Sequence, residues 1–421
     1  MLTAVVGINW GDEGKGRMVD LLSADYDIVC RYQGGNNAGH TVINDHGKIV
    51  LNLLPSGISR EGTVNVMGNG MVIDLEHLVH EIQSLREKGI HIGPDNLKIS
   101  DKAVICLPWH KMQDIMEEDR LKDKKFGSTR RGIGPVYADK YMKKAVRMGD
   151  LFAPDKLPEK VADLTEWKNL TVRGYGHEPV KAEDILAWLH EFGDPIKPYI
   201  TDVSDYLYDA ATVGENIMFE AQLGALRDIE FGIYPYTSSS CTLAGYATIG
   251  AGIPGLKLDK TIGIMKAYSS CVGEGPFTVE MFGDEAEALR RAGGEYGAAT
   301  GRPRRVGAFD IPASRYGVRM HGADCIALTK MDVLSYMDKI PVCVAYDING
   351  EITEKFPVGE RLNAAKPVFE YMEGFGDISG CRKPEDLPKA AMDYIRYLEA
   401  AVGCKIKYVS VGAGRDEYVE L

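Results

Sequence analysis

The chain has 421 residues and a formal net charge of -12, from 49 Lys plus Arg against 61 Asp plus Glu. That balance excludes a bulk nucleic-acid binder, which needs net positive faces, but leaves room for a phosphate ligand in one basic cleft. Hydrophobic content of 45% and charged content of 26% exclude disorder and fit a globular chain.

Glycine is in excess. Its 47 residues are about 11% of the chain, against a usual ~7%. They call for turns, or for backbone brought close to a ligand. The start, Met1–Gly7, has neither the basic region nor the apolar stretch of a signal peptide. No run approaches the ~18 apolar residues of a membrane span, so the expectation is a cytoplasmic protein without membrane contact. The eight cysteines are scattered and none forms C-x-x-C, which points to reduced thiols. His77 and His80 form a close pair, but no metal-binding pattern surrounds them.

In chain order, Ala4–Ile8 and Asp27–Tyr32 read as buried strands. Leu75–Lys88 has a helical apolar period, and Trp109–Leu121 and Ala182–Glu191 read as helices. Strands are expected at Val104–Leu107, Ile217–Phe219, Thr261–Ala267, Cys325–Thr329, Pro341–Tyr346 and Lys407–Val411. Further helices are expected at Glu285–Ala292 and Leu387–Val402. Continuous apolar strands alternating with helices imply an α/β fold: a mostly parallel sheet with helices on both faces. Ligands in such folds sit beyond the carboxyl ends of the strands, where this chain puts its glycine-rich segments. Length alone suggests two or three domains at ~150 residues each.

The first such segment is Gly7-Ile-Asn-Trp-Gly11-Asp12-Glu13-Gly14-Lys15-Gly16-Arg17, with a helix expected from Met18. It is similar to a phosphate-binding loop. Glycines let N–H groups converge on phosphate oxygens, and Lys15 supplies a point charge. It departs from G-x-x-x-x-G-K-[ST]: Asn9 stands at the first glycine, and Gly16 replaces the Mg²⁺-binding hydroxyl. A tight strand-to-helix turn would also fit the segment. Asp12 is the informative departure. A carboxylate beside a triphosphate is repelled unless a cation lies between them or it does proton chemistry. The second segment is Gln33-Gly34-Gly35-Asn36-Asn37-Ala38-Gly39-His40-Thr41. There His40 could serve as an acid or as a donor to a developing anion.

Together, W-G-D-E-G-K-G at 10–16 and Q-G-G-x-N-A-G-H-T at 33–41 resemble the adenylosuccinate synthetase family. The resemblance runs from residue 5 to about 415 and is least marked near 155–200. It implies one large domain over 1–421, with long helical and loop insertions at about 100–210. It also implies a GTP-dependent ligase that joins L-aspartate to inosine monophosphate (IMP), with Mg²⁺ as cofactor and a homodimer as assembly. Asp12 would be the base for the purine N1 proton and a metal ligand, with the Gly39 carbonyl completing the metal site. His40 would be the acid, and Lys15 would join it in catalysis.

The triphosphate would be held by Gly11, Asp12, Glu13, Gly14, Lys15, Gly16 and Arg17. Gly39, His40, Thr41 and Arg304 would complete that contact. Thr329-Lys330-Met331-Asp332 resembles the N/T-K-x-D element of guanine-binding proteins, with Lys330 over the base. A carboxylate at 332 accepts from both guanine N1–H and the 2-amino group, a donor pair that adenine lacks. Ser410-Val411-Gly412-Ala413 would close over the guanine, with Ala413 where the family usually has Pro.

For IMP the resemblance implies Asn37, Ala38, Thr129, Arg147, Ser238 and Arg302. Lys143 stands where the family has an arginine reaching across the dimer. The F-E-G-A-Q-G segment reads Phe219-Glu-Ala-Gln222-Leu223-Gly224 here, so the base-contacting glutamine falls at Leu223 or, one place early, at Gln222. Aspartate would meet Ala298, Ala299, Thr300, Gly301, Arg302, Pro303 and Arg304, a run whose arginines suit a carboxylate. Other readings remain at this stage: a related ligase for another purine monophosphate, a GTP-binding regulatory module, or a GTPase switch.

Overall fold

Leu2–Gly7 forms a middle strand of a ten-stranded sheet among the described residues of the chain. The structure, a computed structural model, describes residues 1–44, 46–296, 301 and 303–421. From one edge to the other the sheet runs Tyr418–Glu420, Ile406–Ser410, Cys325–Thr329, Lys260–Lys266, Leu2–Gly7, Ile217–Glu220, Ile28–Arg31, Val64–Met67, Leu97–Ser100 and Ile200–Thr201. Neighbours pair in parallel except the edge strand Tyr418–Glu420, which is antiparallel.

The alternation of the central strand explains why both faces are covered. Ala4 and Val6 join the core beneath helix Val203–Thr212 with Val203 and Leu207. Val5 joins the opposite core, with Met18 and Val19 of helix Lys15–Leu22. A strand apolar on both sides is stable only between two layers, as the sequence pattern implied.

The chain order places the site. Strands Leu2–Gly7 and Ile28–Arg31 come first in the chain, yet Ile217–Glu220 inserts between them. Both strands beside Leu2–Gly7 therefore arrive late in the chain. The loops after all five central strands collect at one edge of the sheet, the position open α/β sheets use for ligands.

Three expectations need correction. The first helix starts at Lys15, not Met18, because left-handed Gly14 (φ 96°) turns the chain straight into it. The strand expected at Pro341–Tyr346 is Lys339–Ile348 and lies outside the main sheet. It pairs antiparallel with Ala365–Glu373 and Glu351–Thr353. Val104–Ile105 is likewise a short pair with Val72–Ile73. Helices Ile133–Tyr141, Leu157–Gly174 and Ile311–His321 had no clear period in the sequence. In Leu157–Gly174 the buried positions include Thr165, Lys168 and Asn169, so polar residues interrupt the apolar stripe.

Candidate active site

Why Gly7 and Gly16 must be glycines follows from their neighbours. A Cβ on Gly7 would lie 2.3 Å from the Leu223 carbonyl oxygen and 2.4 Å from Glu13 Oε2. A Cβ on Gly16 would lie 2.6 Å from His40 Cβ. The two glycine-rich segments are thus packed against each other, with the start of the phosphate helix on the His40 side chain.

Glu13 organises the first loop from within. Its Oε1 accepts the N–H groups of Asn9 (3.1 Å) and Gly11 (2.8 Å). Its Oε2 pairs with Lys15 Nζ at 2.6 Å, both side chains being buried. From below, His321 fixes the end of the first strand: its Nε2 meets the Gly7 carbonyl at 2.9 Å, while Nδ1 accepts Ala244 N–H at 3.2 Å. Burial lowers His321 to a pKa of about 4, so it is a neutral tether at physiological pH.

Asp12 projects from the loop in the left-handed region (φ 59°). Its Oδ2 lies 3.1 Å from an Arg304 nitrogen, and Arg304 also pairs with buried Glu295 at 2.9 Å. Glu295 is ringed by cations. Burial would raise its pKa, but Lys266, Lys330 and Arg304 outweigh that and hold it below the usual carboxylate range. This hub joins the segment at 304 to the base element at 330.

His40 opens the strand His40–Asn44 and is buried. Its Nδ1 is 2.5 Å from Glu220 Oε1. Burial lowers the His40 pKa more than Glu220 raises it, and Arg31 and Lys15 push the same way as burial. For Glu220, burial acts upward, but His40 and Arg31 bring its pKa below the ordinary value. The two side chains therefore form one buried, hydrogen-bonded pair with Nδ1 toward the carboxylate.

The base element follows the strand Cys325–Thr329. Thr329 Oγ1–H donates to the Glu13 carbonyl at 2.5 Å, tying this strand end to the first loop. Lys330 is left-handed (φ 57°), and its Nζ donates to the Gly293 carbonyl at 2.5 Å. Met331 is buried beneath it. Asp332 has a buried Oδ1 with no hydrogen-bond partner among the described residues. Burial raises its pKa. An orphaned acceptor of this kind is costly until a donor arrives. The turn at 410–414 closes on the same region. Arg17 donates to Ser410 Oγ, to the Gly414 carbonyl (2.6 Å) and to the Glu417 carbonyl (3.0 Å). Val411 and Gly412 lie inside that turn: Val411 N–H donates to the Glu417 carbonyl, and the Gly412 carbonyl accepts from Ser410 Oγ.

The expected monophosphate residues are more dispersed. Asn37 Oδ1 accepts Gly35 N–H at 3.2 Å, and the Ala38 carbonyl accepts from Asn52 at 2.9 Å. Ser238 Oγ sits 3.2 Å from Ser240 Oγ. Gly39, Thr129, Lys143 and Arg147 are exposed, and Lys143 is left-handed (φ 63°). Thr41 is paired with Val50 in a hairpin.

Gln222 is fully buried, and its Nε2 donates to the Gly35 carbonyl at 2.9 Å. Leu223, left-handed at φ 60°, is the residue that lies against Gly11 at the mouth. Gly301 is left-handed (φ 64°), and Pro303 bridges to Tyr296. The expected positions Ala298, Ala299, Thr300 and Arg302 lie outside the described residues.

Several contributors had gone unassigned. Gln33 donates to the Gln222 carbonyl and accepts from Ser240. Tyr137 Oη accepts Gly34 N–H and donates to the Gly70 carbonyl, clamping the second loop. Glu220 did carry a signal: an acid ending an otherwise apolar strand.

Comparison with known proteins gives the family. The family model described as adenylosuccinate synthetase matches residues 4–419. The adenylosuccinate synthetase of Caldanaerobacter subterraneus subsp. tengcongensis is 44% identical, over 100% of this chain and 99% of its own length. That of Streptococcus gordonii is 43% identical, over 98% and 96%. The solved, fully ligated adenylosuccinate synthetase of Plasmodium falciparum superposes with a TM-score of 0.92 at 35% identity, covering 100% of this chain and 99% of that one. A cyanophage S-2L succinoaminodeoxyadenylate synthetase shares the fold, with a TM-score of 0.61 at 18% identity, covering 100% and 95%. The chain belongs to the adenylosuccinate synthetase family, GTP-dependent ligases that join L-aspartate to IMP and release GDP and phosphate.

Proposed function

We propose that this ligation is carried out by Asp12, Lys15 and His40, with the triphosphate on the first loop and IMP on the second. One observation supports the assignment above others: Gly16 of the phosphate helix packs on His40, so loop N–H groups, Lys15 and the imidazole address the same anion. The purine 6-oxygen is a poor leaving group until it is phosphorylated. Asp12 accepts the N1 proton, and the 6-oxygen then attacks the γ-phosphorus as GDP departs. His40 donates to the phosphoryl oxygens. The amine of aspartate displaces phosphate from carbon 6, giving adenylosuccinate. Positioning and charge stabilisation contribute most of such a rate.

Mg²⁺ fits the donor set, because the Asp12 carboxylate and the Gly39 carbonyl are both hard oxygens. When bound it would neutralise charge building between the β- and γ-phosphates. Arg304 pairs with Asp12 in this structure. Asp332 reads guanine through its orphaned oxygen, with Lys330, Met331 and the 410–412 turn around the base. Ala298, Ala299, Thr300, Gly301, Arg302, Pro303 and Arg304 receive aspartate. Asn37, Ala38, Thr129, Ser238, Arg302, Gln222 and Leu223 surround IMP.

Lys143 reaches IMP from a partner copy in a homodimer, and Arg147 also contacts IMP. The exposed Tyr141 and Met142 beside Lys143 suit burial in such an interface. None of the described helices is long and apolar enough to cross a membrane, in keeping with a cytoplasmic enzyme.

The test is direct. Purified protein with IMP, GTP, aspartate and Mg²⁺ forms adenylosuccinate, and omission of any one component stops it. Product formed without added metal, or equally well with ATP, overturns the corresponding assignment.

A further inference from the structure

His40 has two ring nitrogens with unlike surroundings. Nδ1 faces Glu220 Oε1 at 2.5 Å. No described residue hydrogen-bonds Nε2. Glu220 is completely buried, so its orientation depends on what it accepts. Its Oε2 accepts Ser56 N–H at 2.7 Å, and its Oε1 accepts Ser56 Oγ–H at 2.5 Å. Ser56 lies in the short turn Ser56–Ser59, so two donors from one rigid segment lock the carboxylate plane.

Arg31, also completely buried, is the cation that compensates this carboxylate. Arg31 is itself fixed by the Asn52 carbonyl (2.7 Å) and the Leu54 carbonyl (3.3 Å), and Glu81 shares its charge. An ionised carboxylate accepts only, so the imidazole must carry hydrogen on Nδ1. That leaves Nε2 as the edge free to meet a substrate.

We propose that Glu220 is a positioning residue for the ligation: fixed by Ser56, it keeps hydrogen on His40 Nδ1 and turns the Nε2 edge of the ring toward the phosphoryl group. The inference rests on the reading that His40 touches the reacting group.

The experiment compares Glu220→Gln, Glu220→Asp and His40→Asn. Glu220→Gln should lose roughly 100-fold or more in kcat, the usual scale for a lost acid–base contribution. Its KM for IMP and GTP should stay within about threefold, because uniform binding is untouched. Glu220→Asp keeps the charge and should recover most of the rate.

A Glu220→Gln enzyme with wild-type kcat overturns the proposal. Turnover retained by His40→Asn removes the underlying reading of His40. Turnover lost in His40→Asn but kept in Glu220→Gln removes only the role of Glu220. Should Glu220→Gln not fold, long-range ¹H–¹⁵N correlation on the histidine-labelled wild-type protein decides. Hydrogen on Nδ1 of His40 in the substrate-free enzyme supports the proposal, and hydrogen on Nε2 alone overturns it.

Discussion

Lys15 and Lys143 belong to one proposed site and live in opposite surroundings. Lys15 is buried at the start of a helix, 2.6 Å from Glu13. Lys143 is exposed beyond the end of helix Ile133–Tyr141 and makes no ion pair among the described residues. The contrast extends to their neighbours. Around the first loop the charges are matched in pairs: Asp12 with Arg304, Arg304 with Glu295, Lys15 with Glu13. Around 127–147, Thr129 and Arg147 face solvent. The first region is made from parallel strand ends, where loops converge and one chain supplies all the walls. The second is made from helices standing off the sheet, whose cations lack a wall of their own. A charge in a dry, prepaired setting acts strongly, whereas one in water acts weakly. The two regions should therefore respond very differently to mutation.

The largest effect is expected where the charges are buried and matched. Lys15→Ala or Asp12→Asn should lower kcat by roughly 1,000-fold or more, as losing the phosphate charge or the base removes transition-state stabilisation. Fluorescent GTP-analogue binding should survive in Asp12→Asn. Near-native turnover in either variant would detach that residue from the chemistry and dissolve the contrast.

The scaffold under the first loop gives a pH-dependent test. Asp310 caps helix Ile311–His321, which ends in the tether His321. It accepts Ala313 N–H and Tyr346 Oη–H, and burial raises its pKa from 3.8 to about 7. The raised value means that the folded state holds a proton the unfolded state releases. Its contribution is complete below pH 4 and is lost as pH rises through 7. Relative to wild type, Asp310→Asn should gain stability between pH 5 and 8, by at most about 4 kcal/mol. Denaturant midpoints at both pH values measure this, and a constant difference would show that the carboxyl is already ionised when folded.

Third in size is the base. Asp332→Asn should reduce the preference for GTP over ATP by about 100-fold in kcat/KM, since the unpaired acceptor that penalises adenine is gone. Unchanged discrimination would mean that the base is read elsewhere.

What could be read from the sequence follows the same division. Five central strands and their loops were legible, because apolar runs ending in glycine have one favourable arrangement. Asp12, Lys15, His40 and Asp332 stood out as polar groups at those ends. The helices that carry Lys143 and its surroundings were not, since residues such as Lys168 are buried through partners distant in the chain. Lys168 pairs with Asp139 at 2.7 Å, and Asp139 with His110 at 2.9 Å. No local pattern announces such a contact. Backbone strain was equally silent: Leu223 and Lys330 adopt left-handed conformations that side chains of their type rarely take. Such positions collect at functional sites and cost about 1–3 kcal/mol each. Glu220 was visible as a residue, but its meaning depends on a strand inserted between two earlier ones.

Lys143 offers the smallest expected effect and the sharpest use of the contrast. If it meets IMP only across an interface, Lys143→Ala should raise the KM for IMP about tenfold and leave kcat nearly unchanged, as expected for lost uniform binding by one partly screened cation. Lys143→Arg should restore or improve binding, because a guanidinium can hold a phosphate with two parallel donors. Mixing Lys143→Ala with a variant disabled at Lys15 then separates the two regions. Hybrid dimers pair one intact first loop with the partner's intact Lys143, so at IMP well below KM an equal mixture should rise to about a quarter of the wild-type rate, by random pairing of subunits. No recovery, together with a single-subunit mass in sedimentation at working concentration, would place Lys143 on the same chain as the IMP it serves. The exposed segment would then need its wall from substrate alone, and the second copy would have no part in the site.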